Sequence, residues 1–505
     1  MNKTGFDNDK YLQQQSEEII RRTEMFGNKL YLEFGGKLMF DYHAARVLPG
    51  YDPNVKIRLL QQLRDKAEIV LCIFAGDIER KKVRADFGIS YDADALKTID
   101  DLREAGLCVR AVVITRFDGQ PAAKQFKTKL ERRGVAVYCH RATQGYPTDI
   151  ETIVSDEGYG ANPYVTTERP IVVVTGPGPG SGKLATCLTN LYHDRRNGRL
   201  AGYAKFETFP VWNMPLKHPV NVAYEAATAD LLDVNMIDPF HLEAHGSASV
   251  NYNRDIAAFP LVRAIWEKIT QSPCPYKSPT DMGVNRVGFG IVDDLTVRDA
   301  AQQEVIRRYF RHACEYALGM TERETVSRVE MLMQELRVSS TDRLVVNPAR
   351  KAAEECAASG KGDRGICCGA AMELGDGRIV VGKNSTLMHA ASAMVLNAVK
   401  LMAGIPDTIH LLSPDVVKAI VRMKRDVLTG KHTSLNLDET LIALAISSAS
   451  NPAAQAALDH LPDLRECEVH LTHILSSGDD VGIRRLGLRH TCDAHFATAD
   501  LYIEQ

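Results

Sequence analysis

Residues 171–186 read IVVVTGPGPGSGKLAT. A run of β-branched residues, Ile171 to Val174, is followed by a glycine-rich turn and then by a lysine that opens a helical stretch. Phosphate loops are built in this order. Backbone N–H groups at a helix N-terminus, backed by the helix dipole, face the anion, and glycines let the chain approach without Cβ clashes. The spacing G-x-x-x-x-G-K-[ST] is not met: it requires glycine at 177 and Ser or Thr at 184, where the chain has Pro177 and Leu184. Gly178, Gly180, Ser181, Gly182 and Lys183 are the candidate cofactor-binding residues, with Thr186 or Ser181 in place of the missing magnesium hydroxyl. The plainer reading is a sharp strand-to-helix turn with a surface lysine.

Working outward, apolar runs alternate with amphipathic segments. Residues 67–77, 107–117 and 135–140 read as strands, 93–106 and 122–134 as helices with glycine stops. Beyond the loop come a helix over 182–198, a strand over 200–210, a helix over 223–232 and a strand over 286–294. The pattern predicts an α/β fold with a mostly parallel, Rossmann-like or P-loop-like sheet flanked by helices. GDG at 375–377 between two apolar runs predicts a hairpin in a smaller C-terminal α/β or α+β domain. The expected division is 1–165, 166–325 and 326–505, the first two sharing one sheet if the polar stretch 155–170 is a crossover rather than a boundary.

Composition narrows the function classes. At 505 residues with 61 basic and 64 acidic side chains, the chain has a net charge of −3 and no electrostatic footprint for nucleic acid or membrane. The N-terminus lacks the apolar core of a signal peptide, and no run is long enough to span a bilayer. Eleven cysteines, many inside apolar runs, read as reduced thiols of a cytoplasmic protein.

Other segments offer candidate chemistry. GFGIVDD (288–294) has the form of a Walker B strand, so Asp293 and Asp294 are candidate Mg²⁺ ligands; capping of the following helix is the alternative. Gly35-Gly36-Lys37 reads as a hairpin turn, and Lys37 with Arg46 can bind an anionic group. The loop before residue 286 supplies candidate substrate contacts in Lys277, Thr280, Asp281 and Asn285. His241 and His245 stand four apart, but Glu243 is misplaced for H-E-x-x-H and no third ligand is evident. Cys467, His470, His473, Cys492, Asp493 and His495 have partly ligand-like spacing, and Cys367-Cys368 has little redox character. The charged crossover 78–92 is a solvated helix face unless Arg84 and Asp86 turn inward. The apolar helix 387–404 and the amphipathic helix 322–336 suit either a subunit interface, hence a homo-oligomer, or burial within one chain.

Two resemblances add to this. Residues 170–210 resemble the P-loop of dethiobiotin synthetase- and CTP synthetase-type enzymes, whose next strand carries G-x-x-K, matched by GYAK at 202–205. That resemblance implies ATP with Mg²⁺, Lys183 on the phosphates and Lys205 in the phosphoryl-transfer zone. With KLYLEFGGKL, HAARVLPG, YAKFETFPVWN, SPTDMGVN and GKNSTLMHA in order, nearly the whole chain resembles a bacterial family of conserved hypothetical proteins, domain of unknown function 1846. It implies no activity and carries over no catalytic residue. The leading expectation is an ATP-binding enzyme of small-molecule metabolism of the ligase, synthetase or kinase type, with Lys183, Lys205 and Asp293 catalytic. The alternatives are a non-catalytic phosphate-ligand-binding protein and a metal-dependent hydrolase.

Overall fold

The computed structural model describes residues 4–84, 88–428 and 432–499; the side chain of Arg84 and all of Asp86 lie outside them. The chain divides into two compact units, Met1–Gln302 and Gln303–Gln505. No helix among the described residues is long and apolar enough to cross a membrane.

The first unit is built on one all-parallel sheet. Its strands are β1 (Leu30–Phe34), β2 (Ala67–Phe74), β3 (Val109–Thr115), β4 (Val137–Cys139), β5 (Ile171–Thr175) and β6 (Gly202–Phe206). Their spatial order is β4-β3-β2-β5-β1-β6. Helices cover parallel strands on both faces, which is why IVLCIF (69–74) and IVVV (171–174) are continuously apolar rather than alternating. Residues 155–170 belong to the long crossover that carries the chain from β4 back to β5, between β1 and β2.

Direction and face then change together. After β2 and β3 the chain crosses by α1 (Tyr91–Glu104) and α2 (Pro121–Glu131), whose Ile99, Phe126 and Leu130 pack with Leu71, Ile73 and Val112 on one face. After β5 it crosses by α3 (Lys183–Arg196), whose Leu188 and Leu191 pack with Val70, Val172 and Val174 on the other. Each such fully buried leucine contributes about 1.5–3 kcal/mol. The adjacent strands β2 and β5 thus send the chain opposite ways, and their carboxyl ends form the topological switch point where open α/β sheets bind ligands.

Two expected strands are not formed. Residues 286–294 hold a 3₁₀ turn, Val287–Gly290, followed by a helix from Asp294 to Ala317. The turn packs on the N-terminal segment rather than on the sheet: a Cβ on Gly290 would lie 2.6 Å from the Phe6 ring and Phe6 bridges Ile291, while Phe289 and Val292 are exposed. The Gly35-Gly36-Lys37 hairpin is absent as well. β1 already has β5 and β6 on its two edges, so the chain leaves it as a loop at the carboxyl end of the sheet.

The second unit has its own four-stranded mixed sheet. The expected hairpin is present as β7 (Gly369–Glu373) and β8 (Ile379–Lys383); β9 (Glu468–Leu471) pairs antiparallel with β7, and β10 (Arg489–Cys492) parallel with β9. The apolar helix α4 (Ala390–Met402) lies in the core of this unit, with Met394, Val395 and Val399 fully buried.

Candidate functional site

The glycine loop leaves β5 at the switch point and is held there by close packing. Gly180 and Gly182 have φ of 72° and 91°, in the left-handed region that side-chain-bearing residues avoid. A Cβ on Gly182 would lie 2.7 Å from Thr115 at the end of β3, and one on Gly178 would lie 2.6 Å from the Tyr91 hydroxyl. Thr115 Oγ1 donates to the Ser181 carbonyl at 2.8 Å, tying the loop across β2 to β3. Lys183, the first residue of α3, folds back over the loop, its Nζ donating to the Gly178 carbonyl at 3.3 Å. Arg116 donates to the Gly180 carbonyl and stacks on Phe74, 3.4 Å from the ring centroid. Two cations therefore stand on the loop, one of which the sequence did not single out.

The candidate magnesium hydroxyls are differently placed. Thr186 is buried and its Oγ1 accepts from the Cys72 thiol at 3.4 Å. Ser181 is buried, and its Oγ lies 3.5 Å from Lys183 Nζ. Leu184, in the position of the usual hydroxyl, packs on the apolar cluster beneath α3.

Two strands away, the carboxyl end of β6 carries a cluster of ionisable groups. Lys205 is paired with Asp255, at the start of the helix Asn253–Thr270, and with Glu207 at 3.1 Å. Glu33 on the intervening β1 accepts from the Tyr203 hydroxyl at 2.6 Å. Burial works against the charge of Lys205, but Asp255, Glu207 and Glu33 outweigh it and raise its pKa. The pKa of Glu207 is raised too, which here favours the neutral form. Burial pushes it up to about 7, and the repulsion of Asp255 and Glu33 adds to this against the pull of Lys205. A carboxyl group poised near neutrality beside a fixed ammonium is suited to general acid–base work. Glu33 also links the two regions, since it and Lys183 both act on the buried Cys187 thiol. Phe209 and a half-buried Tyr224 stack at 5.3 Å between ring centroids beside this cluster. Glu207 was within reach of the sequence: Lys-Phe-Glu at a strand end puts positions 205 and 207 on one face.

The remaining candidates sort themselves by their bonds. Asp293 caps the helix after it, accepting from the backbone of Leu295 and Thr296 at 3.1 and 3.2 Å, and Asp294 pairs with His218 and Arg298. Neither stands at a strand end. Asn285 is spent on the backbone, donating to the Thr208 and Pro210 carbonyls. Thr280 donates to Asp238 at 2.7 Å, whereas Lys277 is exposed. The Lys37 carbonyl accepts from the buried Lys56, itself paired with Asp41 at 2.7 Å, and Arg46 is half-buried on the helix Tyr42–Val47. Asp281 lies beside His245 and His241. Among the described residues those three are the only group of three His, Cys, Asp or Glu side chains close enough to share an ion; the Cys467–His495 candidates form no such group.

Sequence comparison bears on the whole chain. The model of the domain of unknown function DUF1846, N-terminal, matches residues 4–337, and that of its C-terminal counterpart matches residues 341–502. The UPF0371 proteins of Clostridium botulinum strains Eklund 17B / Type B and Alaska E43 / Type E3 are each 56% identical over 501 residues, covering 99% of both chains. The UPF0371 protein of strain 657 / Type Ba4 is 56% identical over 498 residues, with the same coverage. With both parts of the family matched in order along nearly its full length, the chain belongs to the DUF1846 family.

Proposed function

We propose that the first unit binds a phosphorylated ligand of the nucleotide type at the glycine loop and is an ATP-dependent enzyme of small-molecule metabolism. One observation carries the reading: a loop with two left-handed glycines leaves the switch point of a doubly wound sheet, and Lys183 opens the next helix folded over it. In this reading the loop amides and Lys183 hold phosphate oxygens and Arg116 supplies further positive charge. Lys205 stabilises charge on the transferring group, and Glu207 exchanges a proton with the second substrate. Magnesium arrives with the nucleotide, its ligands coming from phosphate, water and a carboxylate of the β1–β6 edge rather than from Ser181 or Thr186, both turned into the protein. The eleven free thiols suit a reducing cytoplasm, and self-association of the chain remains part of the proposal.

A second reading, a non-catalytic phosphate-ligand-binding protein, is favoured by Leu184, since loss of the metal-holding hydroxyl weakens Mg²⁺ binding more than phosphate binding. Calorimetric titration of ATP, ADP and inorganic phosphate, with and without Mg²⁺, tests both. Wild type is expected to bind ATP, and Lys183→Ala to bind it about 10- to 100-fold more weakly, the worth of a hydrogen bond to a charged group. Failure of the wild type to bind any of the three overturns the proposal. Binding with no nucleotide consumption across candidate second substrates selects the second reading.

A further inference from the structure

We propose that His241, His245 and Asp281 form a site for one divalent first-row transition ion, zinc being the best match, with coordination positions left open to solvent. This inference stands apart from the nucleotide reading and needs none of its residues.

The two histidines lie on one face of the short helix Pro239–His245, with ring centroids 4.5 Å apart. Asp281 comes from a second short helix, Pro279–Met282. Its two carboxylate oxygens each lie 3.0 Å from His245 Nε2, and one of them lies 3.6 Å from His241 Nδ1. One donor atom from each of the three residues falls within 4.8 Å of the others. Ligands 2.0–2.2 Å from a tetrahedral zinc stand about 3.3–3.6 Å apart, so the two histidine–carboxylate separations match within a few tenths of an ångström, and the histidine donors, no more than 4.8 Å apart, need only draw together on the ion.

The framework is fixed from behind. Asp238 is fully buried. One of its oxygens accepts from the backbone of Phe240 and His241 at 3.0 and 3.1 Å, capping the histidine helix. The other accepts from Thr280 Oγ1 and the Thr280 backbone at 2.7 and 3.2 Å, seizing the helix that carries Asp281. One buried carboxylate thus ties together the two elements that supply the ligands. The Asp281 carboxylate is aimed by the Lys277 backbone N–H at 3.1 Å, and buried Ser278 Oγ accepts from the Asp281 backbone N–H at 3.0 Å, capping the helix that carries it. Such outer partners are what orient ligands in established metal sites.

Donor chemistry selects the ion. Magnesium and calcium take all-oxygen shells, and soft ions take thiolates; two imidazoles and one carboxylate suit zinc, cobalt, nickel or ferrous iron. The His245 side chain is 37% and that of Asp281 23% exposed, so the outward side is open to water or a substrate atom, as in three-ligand catalytic sites rather than closed structural ones.

The test uses the full chain, stripped by chelator and titrated with Zn²⁺ by calorimetry and with Co²⁺ by visible absorption. One equivalent per chain is expected. His245→Ala should weaken it by more than the roughly 10- to 100-fold that loss of an outer partner costs, and Ser278→Ala should fall within that range. Asp281→Asn should behave like His245→Ala. Because it also alters a packed loop, His245→Ala at the exposed helix end is decisive, with circular dichroism showing retained structure. Lys183→Ala should bind metal as wild type does, which separates this site from the glycine loop. No stoichiometric uptake, uptake untouched by His245→Ala, or a thiolate charge-transfer band in the cobalt spectrum would each overturn the proposal.

Discussion

In the second unit Glu468 is gripped by guanidinium groups, Arg343 at 2.6 Å, Arg307 at 3.0 Å and Arg489 at 3.8 Å; in the first, Glu207 shares the Lys205 ammonium with Asp255 and Glu33. Burial acts upward on both carboxylates. Around Glu468 the arginines outweigh it and hold the group down at about 2, whereas around Glu207 neighbouring carboxylates add to it and the group reaches about 7. Arg343 also satisfies its remaining donors on the Val469 and Arg489 carbonyls and on Thr491. A cluster in which cations match or exceed carboxylates serves the fold. A cluster with surplus carboxylate at the open end of a parallel sheet is held at a cost in stability, which makes it a candidate functional site.

Arg343→Met attacks this contrast most strongly. It leaves Glu468 short of a partner in a buried setting and is expected to cost about 3–5 kcal/mol in urea unfolding, with ATP affinity unchanged in the folded protein. A loss below about 1 kcal/mol would mean the cluster is not structural.

Next comes pH, where the two carboxylates must act with opposite sign. The folded pKa of Glu468 is depressed, so its stabilisation is complete above about pH 4.5 and disappears as pH falls toward 2. The folded pKa of Glu207 is raised, so its cost is absent below about pH 4.5 and complete above about pH 7. Glu207→Gln should therefore stabilise the protein at pH 8, by up to about 3 kcal/mol, and leave it unchanged at pH 4. Equal effects at both values would refute the assignment.

Smaller changes sharpen the glycine loop. Gly182→Ala imposes a left-handed residue against Thr115 and should cost about 2 kcal/mol, with ATP binding weakened in the same protein; thermal unfolding and titration measure both. Asp293→Ala removes a helix cap and should cost about 1 kcal/mol, leaving affinity for Mg²⁺-ATP unaltered. A fall in that affinity would restore Asp293 as a metal ligand.

The parallel sheet could be read from the sequence because strands buried on both faces carry long apolar runs, as in IVLCIF of β2, AVVI of β3 and IVVV of β5. The order of the strands could not, since nothing local in residues 140–170 says that β5 returns between β1 and β2. GFGIVDD misled for a related reason: its turn packs at Gly290 and Ile291 on Phe6, a contact across nearly 300 residues that no periodicity records. The third member of the His241–His245 group was hidden the same way, 36 residues downstream of His245 and delivered by the Asp238–Thr280 bond. Local chemistry was legible where spacing alone places side chains, as with Gly182–Lys183. It was illegible where tertiary contacts do so, as with Glu33 and Asp255.

The return of β5 to the middle of the sheet also orders events in time. Until Ile171–Thr175 has been synthesised, β1 and β2 face a gap one strand wide, each with an unpaired inner edge. β1 has no other partner then, because β6 follows still later in the chain. Residues 1–165 made alone should remain aggregation-prone, and the nascent chain should gain protease resistance in one step after β6 leaves the ribosome. The strand that presents the glycine loop is thereby also the keystone of assembly, so a chain whose centre has failed to close has no such loop to offer.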